Sequence, residues 1–282
     1  MTASTDPTVS RLALWRRLTT TRIRSGQDPK QVADALGWPL ADLLLVEAVA
    51  DGIADGRLLT LIDHYGLGED RETVDLYRKV QPLTVRDTPL SREVRLLVEY
   101  EKVASSVRAF EPFVIPGLLQ TRAYAEAVLT FYASPAELAP LVEARMARKE
   151  IFERDDAPEM HFLIDESALR RWAGATGPGP EIMREQLEHL RRIAGHPRVR
   201  VQVVPYAGGL HEGMKGPFVI LGFTDPEHSE LLYLEDAKGD VVRADAVEAE
   251  PYLERFGSLL VIAAPAGDLD AFLDRALAEL AA

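Results

Sequence analysis

The feature that most limits how this chain can fold is a stretch near its middle, Phe110–Leu129, which contains two prolines. Pro112 and Pro116 each disfavour the helical conformation in the residue before them, so the chain is predicted to be extended up to Pro116. From Leu118 to Tyr132 the apolar residues recur at helical spacing and cover most of the circumference. A helix of that kind is buried on most of its surface, and we expect it at the centre of the larger domain.

Within this stretch the run Ile-Pro-Gly-Leu-Leu-Gln-Thr, 115–121, is followed by Tyr124 and Ala125. The run resembles the signature of a large family of actinobacterial regulators. That family combines an N-terminal helix-turn-helix of the xenobiotic-response type with a C-terminal antitoxin-like domain of unknown function. The resemblance implies a regulator that forms a homodimer, and within the family a small partner protein is often encoded nearby. It implies no particular chemistry, because the C-terminal domain has no agreed activity.

The order of the predicted elements indicates an α+β protein with two domains. Residues 1–80 are expected to form an all-α helix-turn-helix bundle, and residues 92–282 a larger mixed α/β domain with a small sheet. Pro82 and Pro89 interrupt the helical pattern, so residues 81–91 are the predicted junction.

Short alternating or apolar runs predict the strands. They are expected at 161–165, 199–204, 218–223, 230–235 and 240–243. Residues 71–109 are predicted to be mainly helical, and the helix that begins at Ser91 is expected to include Val107. Two further helices are predicted at about 246–262 and 268–281.

Composition excludes several classes of function. The chain has 45 acidic and 32 basic residues, and a formal net charge of −13 argues against nucleic-acid binding by the whole surface. The absence of cysteine excludes disulfides and thiolate sites, and the six histidines lack zinc-ligand spacing, so we predict no metal and no cofactor. A polar N-terminus and the lack of a long apolar run predict no signal peptide and no membrane span, hence a cytoplasmic protein.

The helix expected to read DNA lacks the side chains that such a helix needs. It begins near Pro39, and the positions that should face DNA carry no hydrogen-bond donor, while Asp42 would repel phosphate. A basic stretch could still contact phosphate through Arg16, Arg17, Arg22, Arg24 and Lys30. The alternative is that a protein interface, such as a dimer contact, covers Leu40, Leu44 and Leu45. The sequence therefore leaves DNA binding uncertain.

A ligand site is predicted in the larger domain, where several polar residues are expected to converge. They are Gln120, Tyr124, Arg145, Arg148, Glu166 and His211. Two arginines three residues apart on a helix suit a carboxylate or phosphate, so a small polar or anionic ligand is expected. A glycine-rich loop, 207–217, could close over it. The alternative is that Glu166 and Arg170, at i,i+4, form a purely structural ion pair.

Two functions remain open from the sequence. The first is a helix-turn-helix transcriptional regulator with a ligand- or partner-sensing C-terminal domain. The second is a former regulator that now works as a small-molecule-binding protein, or as a biosynthetic enzyme, through a pocket in the C-terminal domain. No nucleophile elbow or nucleotide fingerprint is found in the sequence, so no catalytic residue is assigned.

Overall fold

A computed structural model describes the residues 7–48, 55–80, 90–173, 179–224, 230–235, 240–243 and 246–280. By its contacts the chain divides into two compact units. The helical unit consists of Met1–Arg86 with the short segments Phe223–Glu230 and Ala244–Ala246. The sheet unit consists of Asp87–Gly222, Leu231–Arg243 and Val247–Ala282. Most of the predicted junction 81–91 lies outside the described residues.

The helical unit contains five described helices. They are α1 Pro7–Arg24, α2 Pro29–Leu36, α3 Leu40–Glu47, α4 Arg57–His64 and α5 Arg71–Lys79. The predicted start of α2 is confirmed, because Asp28 and Gln31 form a capping box and Pro29 occupies the first turn. Gly37 ends α2 with a φ of 69°, a left-handed conformation that glycine adopts without strain. A short turn then leads into α3.

The sheet unit is a mixed α/β structure, and the whole chain is α+β, as predicted. Its helices are α6 Arg92–Glu101, α7 Arg122–Leu129, α8 Pro135–Ala147, α9 Glu166–Arg170, α10 Gly179–Ile193, α11 Ala246–Ile262 and α12 Leu269–Leu280. Its strands are β1 Ser106–Glu111, β2 Glu159–Asp165, β3 Val199–Val204, β4 Phe218–Gly222, β5 Glu230–Leu234 and β6 Val241–Arg243. The last five strands and both C-terminal helices agree with the predictions to within a few residues.

The six strands form one sheet in the order β3-β2-β1-β4-β5-β6. The pairs β1–β2 and β2–β3 are parallel, whereas β1–β4 and β5–β6 are antiparallel. Helices connect the parallel strands, as parallel pairing requires, with α7 and α8 after β1 and α9 and α10 after β2. The carboxyl ends of β1, β2 and β3 therefore meet at one edge of the sheet.

The prediction for the first strand was wrong. The helical pattern was extended through Val107, but α6 ends at Glu101 and β1 begins at Ser106. In β1, Val107 and Ala109 are buried and Arg108 between them is less so, which is the two-residue period of a strand. This strand is central, since it pairs with β2 on one side and β4 on the other.

The predicted long central helix was also wrong at both ends. The chain forms a 3₁₀ turn at Gly117–Leu119, and α7 begins only at Arg122. The Thr121 hydroxyl accepts a hydrogen bond from the amide of Tyr124 and so caps the helix there. After α7 ends, Phe131 and Tyr132 are 80% and 82% exposed, so they do not belong to a buried helix face.

A buried apolar cluster lies between one face of the sheet and α11. Phe110, Leu163 and Ile220 contribute from the strands, and Phe256 and Leu259 contribute from the helix. This cluster holds the strands in register and so fixes the positions of the polar residues at their ends. Within the described residues no single helix is long and apolar enough to cross a membrane, and one pair, 248–262 and 266–280, passes that test only together and bent by 59°.

Candidate functional site

The signature run forms a tight loop around the backbone of Ile115. The side chain of Gln120 donates a hydrogen bond from Nε2 to the Ile115 carbonyl at 2.7 Å. The Tyr124 hydroxyl accepts a hydrogen bond from the Ile115 amide at 3.3 Å. All three residues are at most 2% exposed, so these bonds satisfy polar groups that water cannot reach. Burial also raises the pKa of Tyr124 to about 12.

A second buried amide completes the loop from α10. Gln186 accepts a hydrogen bond from the Thr121 amide at 2.7 Å and donates one to the Leu119 carbonyl at 2.8 Å. Gln186 is fully buried. This role could not be predicted from the sequence, because a glutamine on an amphipathic helix is usually exposed. The loop is therefore rigid, and much of the signature has a structural task.

This loop positions Arg145, at the end of α8. Arg145 donates a hydrogen bond from Nη1 to Oε1 of Gln120 at 2.9 Å. Gly117 leaves room for the guanidinium groups, because a Cβ at that position would lie 3.3 Å from Nη1 of Arg148 and 4.0 Å from Nε of Arg145. Arg145 forms no ion pair with any described residue, so most of its donors remain available.

Arg148 has the opposite environment, although it lies less than one turn further along the chain. Its Nε and Nη2 donate to the two carboxylate oxygens of Glu101 at 3.1 and 2.7 Å. The two side chains are 12% and 3% exposed, so this is a buried bidentate ion pair. Burial lowers the pKa of Arg148, but the Glu101 charge and hydrogen bonds outweigh it and the net shift is upward. Arg148 is therefore committed to Glu101, and the two arginines do not form a paired clamp.

Glu111 is the most unusual group near Arg145. It is the last residue of β1 and is only 7% exposed, yet its carboxyl group has no hydrogen-bond partner among the described residues. Burial raises the pKa of Glu111 well above its ordinary value, and the charge of Glu235 adds to the rise. The charge of Arg145 opposes this rise without cancelling it.

Glu235 and Tyr233 are near enough to Arg145 to act on it electrostatically, and Asp240 is a neighbour of those two residues. Tyr233, on β5, donates a hydrogen bond to Asp240 at 2.8 Å. Partial burial raises the pKa of Asp240, although this hydrogen bond lowers it. Glu235 follows β5 and is exposed, so this side of the group of residues is open to solvent. We call this group the Arg145 cluster, and its members are Glu111, Gln120, Arg145, Tyr233, Glu235 and Asp240.

The charge of the Arg145 cluster is unbalanced. The cluster holds one guanidinium and three carboxyl groups, and the charge of Arg148, which is paired with Glu101, also acts on Glu235. Among the described residues, neither the Arg145 guanidinium nor the buried Glu111 carboxyl has an ion-pair partner. Such an arrangement has the chemistry to receive positive charge or hydrogen-bond donors at the carboxyl groups and an oxygen at Arg145. No group of three or more potential metal-ligating side chains was found where the structure describes the chain.

Glu166 and His211, which the sequence placed beside the arginines, have other partners. Glu166 pairs with Arg170 at 2.9 Å and accepts a hydrogen bond from the Tyr206 amide at 2.9 Å. His211 contacts Asp165 through Nε2 at 3.1 Å, while its Nδ1 is buried without a partner among the described residues. These contacts fasten the glycine-rich loop to the carboxyl end of β2. They support the structural ion-pair alternative for Glu166.

In the helical unit, the residues predicted to contact DNA phosphate mostly have internal partners. Arg17 donates to Asp70 and Glu72 at 2.8 and 2.6 Å. Arg22 donates to Glu47 at 2.8 Å, and these two side chains are only 12% and 4% exposed. Their charges are therefore used to hold the helices of this unit together.

The remaining basic residues differ in their environment. Lys30 pairs with Asp34 on the surface at 2.8 Å. Arg16 donates to the backbone carbonyl of Glu230 within the same unit. Arg24 is exposed and has no partner in the described part of the chain. It is thus the member of the predicted set that remains free to contact an anion.

On α3 the exposed residues are apolar. Leu40 and Leu44 are 42% and 39% exposed, and Leu45 is half-buried. Asp42 forms an ion pair with Arg57 at 3.2 Å, and this pair partly neutralises the charge of Arg57. The face that would read bases in a helix-turn-helix protein thus presents leucines to its surroundings.

Comparison with known families identifies the sheet unit. A family model described as a domain of unknown function (DUF5753) matches residues 94–275, well over half of the chain. The matched span contains every member of the Arg145 cluster, and it begins after Arg86, where the N-terminal segment of the helical unit ends. Comparisons with curated proteins and with solved structures gave no match.

Proposed function

The chain belongs to the DUF5753 family, and we propose that its sheet unit is the ligand-sensing domain of a regulator. The observation that supports this most strongly is the pair Arg145 and Glu111. Both groups are largely withdrawn from solvent and close enough to shift each other's pKa, and neither has an ion-pair partner in the part of the chain that the structure describes. Burial of such groups without a partner costs free energy, and strongly shifted pKa values are concentrated at functional sites.

The ligand that fits is a small molecule with an amine or several hydrogen-bond donors. An anion would have to compete with three carboxyl groups for a single guanidinium. Arg148 cannot supply a second guanidinium, because it already donates hydrogen bonds to both carboxylate oxygens of Glu101. A cationic group between Glu111 and Glu235 would instead relieve their mutual repulsion, and Arg145 would donate hydrogen bonds to an oxygen of the same molecule.

The test is ligand-induced stabilisation of the full-length protein. Spermidine, agmatine and L-lysine are titrated while the melting temperature is recorded, with citrate as the anionic comparison. At least one amine should raise the melting temperature saturably, because a ligand that binds only the folded state stabilises it. Glu111→Gln and Arg145→Gln should each abolish the effect.

Matched controls are available on α10. Glu185 and Arg184 are exposed and have no partner among the described residues, so Glu185→Gln and Arg184→Gln change the same charges away from the cluster. They should respond like the parent. Stabilisation by citrate that requires Arg145 would contradict the ligand class, and the absence of any cluster-dependent response would contradict the sensing role.

We further propose that α3 is a protein interface and that the protein is a homodimer through it. The exposure of Leu40 and Leu44 supports this, because an apolar surface of this kind is usually covered by another protein. A small partner protein is the other candidate occupant. Base-specific DNA binding through α3 has no donor to support it, so the regulator would act through protein contacts or through weak phosphate contacts.

The alternative of a former regulator that now only binds a small molecule shares the same ligand site. The two functions differ in the helical unit, not in the Arg145 cluster. Measurements of DNA binding and of oligomeric state therefore distinguish the two functions.

A further inference from the structure

A row of basic side chains crosses the parallel half of the sheet near its amino ends. In the strand register Arg108 of β1 is opposite His161 of β2, which is opposite Arg200 of β3. In-register residues on parallel strands lie on the same face, and adjacent strands are about 4.8 Å apart. The three side chains, which we call the basic row, therefore lie side by side. This row is at the end of the strands away from Glu111.

The basic row lines a groove of about 410 Å³, a volume within the range of small-ligand sites. Arg198 also lines the groove and pairs with Glu159 at 3.1 Å, the one acid among the lining residues. Arg108 and Arg200 have neither a hydrogen bond nor an ion pair with any described residue. The groove thus keeps an excess of two positive charges in a chain whose formal net charge is −13.

His161 is held so that one ring nitrogen is left for a ligand. Gln202 donates from Nε2 to the Ala264 carbonyl at 2.9 Å, so its Oε1 must accept from Nε2 of His161, at 2.7 Å. The imidazole packs edge-on against Phe256, with the ring centres 5.3 Å apart. Nδ1 is then the ring nitrogen without a protein partner in the described structure.

We propose that the basic row binds a phosphate group, with Arg108 and Arg200 on either side and His161 beneath it. A tetrahedral oxyanion offers oxygens to two guanidinium groups at once, whereas a carboxylate is usually satisfied by a single arginine. A phosphate monoester carries a charge near −2 at pH 7, which matches the excess of two positive charges. The proposal does not depend on the Arg145 cluster.

Burial chiefly lowers the pKa of His161, the Gln202 hydrogen bond opposes it, and the charges of Arg200 and Arg108 lower it further. A bound phosphate would offset the two arginine charges, and one of its oxygens could accept a hydrogen bond from the protonated Nδ1 of His161. Phosphate binding should therefore raise the His161 pKa, which can be followed by the ring-proton chemical shifts during a pH titration. Among the described residues, the groups that act on the ring are Arg108, Arg200, Gln202 and Phe256, and none of them is an acid that could raise its pKa.

The decisive experiment is calorimetric titration of the full-length protein with inorganic phosphate and with phenyl phosphate at low salt. We expect saturable binding at one site per chain. Arg200→Gln and Arg108→Gln should each weaken binding at least tenfold, and Arg200→Lys should recover part of it. Arg184→Gln, which removes an exposed unpartnered arginine from α10, should bind like the parent.

The two probes distinguish the sources of the phosphate. Equal affinity for both would identify free phosphate as the ligand, and tighter binding of phenyl phosphate would identify a phosphorylated organic molecule. Binding that is unaffected by either row variant would overturn the proposal. Displacement of the probes by a duplex DNA, with loss of DNA binding in the same variants, would also overturn it in favour of a nucleic-acid backbone. Arg200 is exposed, so its variants should fold, and unchanged melting temperatures will verify this.

Discussion

Two arginines of the helical unit that the sequence marked for DNA and two arginines of the sheet unit differ in their partners. In the helical unit Arg17 and Arg22 are paired with acids from other helices, so their charges hold the fold together. In the sheet unit Arg145 and Arg200 have no ion pair with any described residue. A basic run in a sequence therefore does not by itself mark a binding surface. Arginines that the fold leaves unpaired in a groove or beside a buried acid are better candidates for one.

The largest effect is expected where an arginine of the sheet unit is paired, at Arg148. Arg148→Ala would leave the buried carboxylate of Glu101 without a counter-charge, and the loss of one partner of a buried ion pair costs about 3–5 kcal/mol. Urea unfolding should show this loss. A double variant, Arg148→Met with Glu101→Leu, should recover most of the stability. Arg122→Ala, which breaks the exposed pair with Glu143, should have a much smaller effect. If the Arg148→Ala protein is as stable as the parent, the ion pair of Arg148 with Glu101 does not stabilise the fold.

The next effect concerns the leucines of α3 in the helical unit. The double variant Leu44→Ser, Leu45→Ser should convert a dimer into a monomer, because burial of each leucine contributes roughly 1.5–3 kcal/mol. Sedimentation equilibrium measures the change. Leu210→Ser provides the control, since Leu210 is 90% exposed on a loop of the sheet unit. If the double variant remains a dimer of parental stability, α3 is not the interface.

A smaller effect with a defined pH dependence is expected for Glu111. Its pKa is higher in the folded state than the ordinary value of 4.5, so the folded protein binds the extra proton and stability falls as pH rises above about 4.5. Glu111→Gln removes this loss. The variant should be more stable than the parent at pH 7 to 8, and the difference should vanish below pH 4.5, where the parent carboxyl is protonated in both states. Unfolding curves across this range provide the measurement, with Glu185→Gln as the control. If the variant is less stable than the parent at pH 8, the charged Glu111 carboxylate stabilises the folded state and the prediction is wrong.

The smallest signal is expected from DNA binding, because the affinity of the helical unit for duplex DNA should be low. With no donor on α3 and most basic residues paired, a random duplex pool should bind weakly and yield no enriched sequence. The affinity should fall steeply with salt, because only phosphate contacts remain. Fluorescence anisotropy at several salt concentrations tests this, and Arg24→Gln should reduce the salt dependence. Nanomolar, sequence-selective binding at physiological salt would show that α3 still reads bases.

Much of the fold could be predicted from local patterns in the sequence. The capping box at Asp28 and Gln31, the last five strands and the two C-terminal helices follow from signals within a few residues, because caps, alternation and turns act over that distance. Gln120 was predicted because it belongs to the signature run, and Arg145 and Arg148 because they lie three residues apart on a helix. Gln120 and Arg145 are indeed hydrogen-bonded.

The tertiary structure alone decided what those residues do. Val107 lies in a strand because β2 and β4 pair with its segment on either side, and no local pattern encodes partners so far away in sequence. Glu101 and Glu111 were not recognised, since a carboxyl group becomes unusual only through its burial and its neighbours. Sequence determines which side chains are available. Whether an arginine is paired or free depends on which acid the fold brings within hydrogen-bonding distance, so the paired Arg148 and the free Arg145 look alike in the sequence.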